Sequence, residues 1–264
     1  MKSGTLHRIE NAVSDFVNED PPRAVALESL RGPAVKISLN GDLPLPAASL
    51  VKLPLAVAIY EQAAAGKISL DECVRHTELG RTEYPSILEV FSDDHTFTLK
   101  ELCGLILATS DNPTSQYLLE RVGVHSVNAA AERLGATSTR IMVGFLDELL
   151  GEKNRANITT ADDILKMLKM IAASPSCQDL IVALKNNLRN FRIPLRLPDS
   201  LPVAHKTGSL TGVAVDAGIV YGRKVDLAVS FLSDHQPDTA ETSLSIGDCM
   251  GRIWGLLGED VDMG

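Results

Sequence analysis

The sequence is poor in aromatic residues and has neither a long apolar run nor a cluster of basic residues. Phe, Tyr and Trp make up 4% of its 264 residues, and no stretch approaches the ~20 apolar residues that a membrane-spanning helix needs. Acidic residues outnumber basic ones by 34 to 25, which gives a formal net charge of −9. We therefore expect neither a membrane-spanning protein nor one whose main partner is a nucleic acid or an anionic membrane.

The four cysteines show no C-x-x-C spacing, so the sequence predicts neither a zinc site nor a thioredoxin-type redox pair. We expect most of them to be small, buried apolar residues. The first ten residues lack the apolar core of a secretory signal. This indicates a cytoplasmic protein, or a periplasmic or secreted one if the sequence has been trimmed.

Hydrophobic residues at 45% and charged residues at 22% are typical of a globular protein. The length exceeds the usual ~150 residues of a domain, so we expect one large domain or two packed lobes. Strand-like runs lie near both ends of the chain, and an amphipathic helix flanks each group. The predicted strands are Arg23–Leu30, Ala34–Leu39, Pro202–Leu210, Val213–Tyr221 and Val225–Leu232.

The middle of the chain has a helical pattern. Ser49–Ala65 reads as a long apolar helix, and Thr98–Glu101 forms a capping box at the start of another. We therefore predict an α/β (α+β) fold in which terminal helices flank an antiparallel sheet. The α/β lobe would comprise residues 1–48 and 196–264, and an all-helical lobe would be inserted over residues 49–195.

Common catalytic signatures are absent: the sequence has no G-x-S-x-G, H-E-x-x-H, P-loop or G-x-G-x-x-G, and no histidine in a recognisable triad context. Ser49 and Lys52, however, have S-x-x-K spacing at the start of a predicted helix. This spacing places the hydroxyl and the amine on one helical face. A lysine with a lowered pKa can take the serine proton there, so Ser49 and Lys52 are a candidate nucleophile and base.

Ser110-Asp111-Asn112 follows the capped helix and precedes Pro113, whose ring is expected to push Asn112 out of the helical region into extended backbone. Such a loop offers Ser110 as a second serine that can shuttle a proton. The Asn112 amide can hydrogen-bond a substrate.

Lys206-Thr207-Gly208 lies in a predicted strand. The missing side chain at Gly208 lets a ligand approach the backbone edge, and Lys206 and Thr207 supply a cation and a hydroxyl suited to an anionic group. Three such strings in the order S-x-x-K, S-D-N, K-T-G have a joint chance probability on the order of one in thousands.

These motifs resemble those of the class A serine β-lactamases and the penicillin-binding proteins, and the resemblance covers nearly the whole chain. It implies the β-lactamase/transpeptidase-like fold and a serine hydrolase that forms an acyl-enzyme. The segments that carry it are Pro46–Pro54, Leu118–Gly123, Asn157–Asp163 and His205–Ser209.

The resemblance also implies a role for each site residue. Ser49 would be acylated, Lys52 would accept or relay its proton, and Ser110 would protonate the leaving nitrogen. Asn112 would bind the amide side chain of the substrate, and Lys206 and Thr207 would bind its carboxylate. Gly208 and Ser209 would contact the substrate along the strand. The backbone N–H groups of Ser49 and Ser209 would form the oxyanion hole.

One departure from the family lies in the omega loop. Class A enzymes carry there a glutamate, followed four residues later by asparagine, that activates the deacylating water. No E-x-x-x-N occurs between Thr139 and Thr160, and the position of that glutamate falls near Gly144-Phe145. Acidic residues out of register nearby are Asp147, Glu148 and Glu152. Acylation without rapid deacylation is therefore an open alternative.

Two further departures concern an arginine and a disulfide. Many class A enzymes have an arginine just before the aspartate that Asp216 matches, but this chain reads Val213-Ala214-Val215 there. Lys206 would then hold the substrate carboxylate alone unless a distant arginine reaches in. Where several family members form a disulfide, Cys103 faces Ala56, so no bridge is expected.

The sequence therefore predicts hydrolysis of β-lactam rings, or of a related amide or ester that bears a carboxylate. Two alternatives stay open: a D-alanyl peptidase or cytosolic amidase or esterase that uses the same site, and a penicillin-binding protein that deacylates slowly. We expect a monomer that needs no metal or organic cofactor.

Overall fold

The computed structural model describes residues 3–19, 21–82, 85–146 and 156–258. Its α-helices are α1 (Ser3–Val17), α2 (Lys52–Ala64), α3 (Leu99–Ala108), α4 (Asn112–Val122), α5 (Val124–Arg133), α6 (Ala161–Ala173), α7 (Gln178–Lys185) and α8 (Thr239–Leu256). Its strands are β1 (Arg23–Arg31), β2 (Lys36–Leu39), β3 (Leu45–Pro46), β4 (Cys73–Arg75), β5 (Thr96–Thr98), β6 (Ile158–Thr159), β7 (Val203–Leu210), β8 (Val213–Tyr221) and β9 (Asp226–Ser233).

Five strands form one antiparallel sheet in the order β2-β1-β9-β8-β7. The sheet joins the first strands of the chain to the last ones, as the sequence predicts. β8 is buried along nearly its whole length, because helices cover both faces of the sheet at this strand. β7 lies at one edge, so alternate backbone N–H groups of this strand have no neighbouring strand to pair with.

The two terminal helices pack against each other and against one face of the sheet. From α1, Ile9, Val13 and Phe16 enter a core that also contains Ile253 and Trp254 of α8. The Phe16 ring meets that of the β9 residue Phe231 edge-on, with centroids 5.3 Å apart. The periodic apolar positions of both helices thus form the core that their spacing predicts.

The other face of the sheet packs against the helical part of the chain, whose centre is α2. Every α2 residue from Lys52 to Tyr60 is buried. A helix this apolar has to be surrounded on all sides, and α3, α4, α5 and α6 pack around it.

The described part of residues 49–195 is mainly but not purely helical, in contrast to the all-helical lobe that the sequence predicts. β4 pairs with β5, and β6 pairs with β3. These strands span two or three residues each, which is too short to show an alternating pattern in the sequence. The α2 helix also begins three residues later than predicted, because Ala48–Val51 forms a 3-10 turn.

None of the described helices is by itself long and apolar enough to cross a membrane. One pair, Ala161–Ala173 with Pro175–Lys185, meets the length and composition criteria together but is bent by 97°.

Candidate active site

Ser49 lies in the 3-10 turn that leads into α2, and its side chain is half-buried. Two contacts fix the approach to this turn: β3 pairs with β6, and the amide of Ala47 donates to the Asn157 carbonyl at 2.8 Å. Ala48 adopts a left-handed φ of 45°, which costs a non-glycine residue roughly 1 kcal/mol and requires support from its surroundings. The turn therefore presents Ser49 at the N-terminal end of the central helix.

Lys52 is fully buried one turn beyond Ser49, and its ammonium donates three hydrogen bonds. The acceptors are the Ser110 carbonyl at 2.7 Å, Asn112 Oδ1 at 2.8 Å and Ser110 Oγ at 3.2 Å. Burial lowers the pKa of Lys52 to about 7; Asp111 opposes this change and Arg189 adds to it. At neutral pH a large fraction of this lysine is uncharged, as a general base must be.

Ser110-Asp111-Asn112 is held by the carboxylate of Asp111, which is buried. One carboxylate oxygen accepts from Ser86 Oγ and the amide of Ile87, and the other accepts from the amide and hydroxyl of Thr114. Asp111 is therefore the N-cap of α4 and ties this helix to the segment that carries Ser86. Ser110 precedes it with a left-handed φ of 65°.

The prediction that Asn112 is extended is wrong. Asn112 is the first residue of α4, directly before Pro113 at the start of the helix. The extended backbone falls one residue earlier, at Asp111, with ψ 127°. Side-chain capping by Asp111 begins the helix at Asn112 and outweighs the effect of the following proline. This turn directs Asn112 Oδ1 to Lys52.

Lys206, Thr207, Gly208 and Ser209 lie on the edge strand β7, beside the turn that carries Ser49. A Cβ atom at Gly208 would lie 2.8 Å from the amide nitrogen of Ser49 and 2.8 Å from the Ala48 Cβ. Glycine is thus required for this close approach of two backbones. This close approach brings together the segments that contain Ser49 and Ser209, whose backbone N–H groups are predicted to form the oxyanion hole.

Lys206 is completely buried, and its ammonium donates to the carbonyl of Thr207 at 2.7 Å. Burial lowers its pKa well below the usual value, and the positive charges of Lys52 and Arg189 lower it further. Thr207 is 2% exposed. The cationic forms of Lys206, Lys52 and Arg189 therefore repel one another, and an anionic substrate group would relieve this repulsion.

Arg192, which the sequence motifs do not single out, is a buried arginine that reaches β7. Its guanidinium donates to the carbonyls of Gly208 and Val215 at 2.7 and 2.6 Å, to Ser209 Oγ at 2.6 Å, and to Ser243 Oγ at 3.0 Å. Four of its five N–H groups are used in this way. Burial lowers the pKa of Arg192 to about 10. Its main role in this geometry is to fix the strand, and sequence spacing alone carries no signal of it.

The buried pair His205 and Asp216 also supports β7. His205 Nδ1 lies 3.0 Å from Asp216 Oδ1, and its Nε2 lies 3.1 Å from Asn190 Oδ1. Asp216 also accepts from the amide of Ile193 at 3.0 Å. The residues of this pair link β7, β8 and the segment that contains Arg192.

Phe145 lies in the segment, near Gly144-Phe145, where the resemblance places the omega-loop glutamate. Its amide donates to Gln116 Oε1 at 2.8 Å. Nearby, Asn157 Oδ1 accepts hydrogen bonds from the amides of Met142 and Val143 at 2.8 and 3.1 Å. The centroid of the Phe145 ring lies 5.0 Å from Lys52 Nζ, within cation–π range. The acidic residues Asp147, Glu148 and Glu152 lie outside the described residues.

Two adjoining cavities lie at this site. The smaller, of about 40 Å³, is lined by Ala48, Ser49, Asn112, Phe145, Asn157, Ser209 and Leu210. The larger, of about 710 Å³, has in its wall Pro85, Ile87, Val90, Ser110, Asp111, Asn112, Leu188 and Arg189. Asn112 borders both cavities. Of the residues in the described part of the chain, none that lines the smaller cavity is a carboxylate.

The structure thus brings Ser49, Lys52, Ser110 and Asn112 together with the β7 strand. No group of three or more His, Cys, Asp or Glu side chains within the described ranges is arranged to hold a metal ion. The profile described as "Beta-lactamase enzyme family" matches residues 8–254. The chain belongs to the β-lactamase enzyme family.

Individual members of this β-lactamase family show how far the similarity extends. A β-lactamase from Bacteroides uniformis is 22% identical over 90% of this chain and 88% of its own length. The extended-spectrum β-lactamase PER-1 from Pseudomonas aeruginosa is 27% identical over 78% of this chain and 71% of its own. The predicted family is therefore confirmed.

Solved structures extend the similarity to the fold. The crystal structure of a β-lactamase from Sphaerobacter thermophilus superposes with a TM-score of 0.82 at 25% identity, over 96% of this chain and 97% of that one. A mutant of PBP-A, solved as an acyl-enzyme complex with penicillin G, superposes with a TM-score of 0.84 at 21% identity, over 97% of this chain and 98% of that one. The protein is a serine β-lactamase-like hydrolase with the mixed α/β fold of the β-lactamases.

Proposed function

We propose that this protein opens β-lactam rings by forming an acyl-enzyme at Ser49, and that hydrolysis of this acyl-enzyme limits its turnover. The observation that carries the proposal is the position of Phe145 over Lys52 in the cavity of Ser49. Membership of the β-lactamase family supports the substrate class.

In the acylation step, uncharged Lys52 takes the proton of Ser49 Oγ as this oxygen attacks the lactam carbonyl carbon. The N–H groups of Ser49 and Ser209 stabilise the oxyanion, which is typically worth ~3 kcal/mol for each donor. When the C–N bond breaks, Ser110 gives its proton to the nitrogen and is reprotonated by Lys52, which lies 3.2 Å from Ser110 Oγ. Lys206 and Thr207 hold the substrate carboxylate.

Hydrolysis of the ester then requires a water and a base on the Phe145 side of Ser49. The benzyl side chain can neither accept a proton nor orient a water, and the cavity at Ser49 that it helps to line has a volume of about 40 Å³. A cavity of this size has room for very few waters. We therefore expect acylation to be fast relative to deacylation.

Intact-mass spectrometry tests the proposal directly. After brief incubation with penicillin G, the protein should gain the mass of one intact drug molecule, and the adduct should outlast many times the period needed to form it. Ser49→Ala should fold normally and gain no mass. A folded Ser49→Ala protein that still consumes a chromogenic cephalosporin would overturn the assignment, and unmodified enzyme with rapidly consumed drug would overturn slow deacylation.

A second candidate function is cleavage of a D-alanyl peptide, or of another amide or ester, at the same serine. The same observation favours it, since a site without a described base for water lets the acyl group persist until another nucleophile arrives. A panel of a D-Ala-D-Ala peptide and p-nitrophenyl esters distinguishes the two functions. Turnover of the peptide or the esters faster than that of penicillin would favour this second function.

A further inference from the structure

The larger cavity extends from Ser110, on the side away from Ser49. Ser110 and Asn112 line it, whereas Ser49 lines the smaller cavity. In the proposed function, on which this inference rests, Ser110 protonates the leaving nitrogen. The part of a substrate that is attached to this nitrogen therefore projects into the larger cavity, whose volume of about 710 Å³ is ample for a substantial group.

Arg189 lies in the wall of this cavity, and its guanidinium has no carboxylate partner among the described residues. Its backbone is nevertheless fixed. The amide of Arg189 donates to Asn187 Oδ1 at 2.8 Å, and buried Asn187 donates to the His205 carbonyl at 2.9 Å. The neighbouring amide of Leu188 donates to the carbonyl of Ala108 at the end of α3. Arg189 is thus held between α3 and β7, and its exposed charge has no carboxylate partner in the described part of the chain.

The other charged groups of the site are already engaged. Arg192 uses four of its N–H groups on the β7 and β8 strands and Ser243. Neither Lys52 nor Lys206 is among the described residues that line the larger cavity. Asp111, the one carboxylate that lines the larger cavity within the described ranges, accepts hydrogen bonds at both oxygens. Arg189 is therefore the cation of this wall that a ligand can reach.

We propose that Arg189 binds a second acidic group, carried on the leaving-group side of the substrate. The first acidic group is the carboxylate held by Lys206 and Thr207. Ile87, Val90 and Leu188 line the cavity around Arg189 and suit an apolar stem that ends in a carboxylate or sulfonate. Arginine can engage either anion through two parallel N–H groups. The preferred substrates of the site are therefore dianionic.

Two cephalosporins that differ only in the end of the 3-side chain test this inference, one ending in a carboxylate and the other in the matching uncharged amide. The readout is the second-order acylation rate constant of the acidic compound divided by that of the amide. The ratio is chosen because Arg189 also lowers the pKa of Lys52, so that a change at this residue alters absolute rates with both compounds. Measurement at pH 8.5, where Lys52 is largely uncharged, reduces this effect.

Wild-type protein should acylate about tenfold faster with the acidic compound, and added salt should reduce this preference. Arg189→Ala should bring the ratio close to one, Arg189→Glu should bring it below one, and Arg189→Lys should keep part of the preference. A wild-type ratio of one, or a preference that survives in Arg189→Ala, would overturn the inference while leaving the proposed function intact. Failure of both compounds to acylate the wild-type protein would instead overturn the proposed function, and the inference with it.

Discussion

The ammonium nitrogen of Lys52 lies 5.0 Å from the centroid of the Phe145 ring. The ring supplies a face that attracts a cation weakly and excludes water, but it adds no formal charge. Burial lowers the pKa of Lys52 to about 7, and the ring, unlike a carboxylate, brings no negative charge that would raise it again. Phe145 is thus compatible with the base needed for acylation, and it leaves the described part of the site without the base needed for deacylation.

Replacing Phe145 with glutamate should accelerate deacylation. The carboxylate would lie beside Ser49 and could activate a water, and general bases of this kind contribute roughly 10²-fold or more. The half-life of the penicillin adduct, followed by intact mass, should shorten accordingly. Acylation at pH 7 should become slower, because the new negative charge raises the pKa of Lys52.

Phe145→Gln is the matched control for this prediction, since it has the same shape as the glutamate variant without the base. Its adduct should decay no more than a few times faster than that of the wild type. An equal acceleration in both variants would mean that access of water, rather than a base, limits deacylation.

The acylation rate should depend on the protonation of Lys52. Because its pKa is lowered to about 7, the rate should rise about tenfold per pH unit below pH 7 and level off above it. Second-order inactivation rates with penicillin between pH 5 and 9 measure this profile. Lys52→Arg should abolish it, since an arginine stays protonated throughout this range. A flat wild-type profile would contradict the role of Lys52 as the base.

Lys52 should also affect stability. In the unfolded chain its pKa is ~10.4, so between pH 7 and about 10.4 the unfolded state binds a proton that the folded state does not. The contribution of Lys52 to the free energy of unfolding therefore rises with pH across this window. The free energy of unfolding of Lys52→Met, relative to that of the wild type, should therefore be a few kcal/mol higher at pH 6 than at pH 10. Urea unfolding at both pH values measures the change, and a pH-independent difference would argue against a buried, charged Lys52 below pH 7.

Much of the fold and the candidate site could be predicted from the sequence, because local signals reveal them. The five-stranded sheet follows from β-rich runs at both ends of the chain, and the capping box at Thr98 begins α3 as predicted. The three motifs lie in turns and strands whose residue types are restricted by backbone geometry, as Gly208 shows.

The rest depends on contacts between distant segments. Arg192 reaches β7 and β8 from the position just before a short 3-10 segment, and nothing in its immediate sequence separates it from a surface arginine. Arg189 lines the cavity because Asn187 and Leu188 attach its segment to β7 and α3. The helical Asn112 could not be foreseen from the Pro113 rule, because the competing effect is a side-chain cap at Asp111.

Gly208→Ala should impair acylation without unfolding the protein. The added Cβ would lie 2.8 Å from the amide nitrogen of Ser49, so β7 and the Ser49 turn must separate and the two oxyanion donors must move apart. Loss of one such donor typically costs 10²- to 10³-fold in rate. Gly104→Ala, on α3 with open space around its Cβ, is the matched control and should acylate normally. Normal acylation by Gly208→Ala would show that the close approach at this glycine is not required.

Ser110 allows the backbone and side-chain roles of one residue to be separated. Its left-handed φ of 65° costs a non-glycine residue roughly 1 to 2 kcal/mol, whereas glycine adopts this conformation freely at a smaller entropic cost. Ser110→Gly should therefore be more stable than Ser110→Ala by about 1 kcal/mol in thermal or urea unfolding. Both variants lack the hydroxyl that is proposed to protonate the leaving nitrogen, so both should acylate at least roughly 10²-fold more slowly than the wild type. If both variants acylate equally slowly but differ in stability, the loss of rate is due to the missing hydroxyl. Acylation by Ser110→Gly at the wild-type rate would show that Ser110 is not on the proton path.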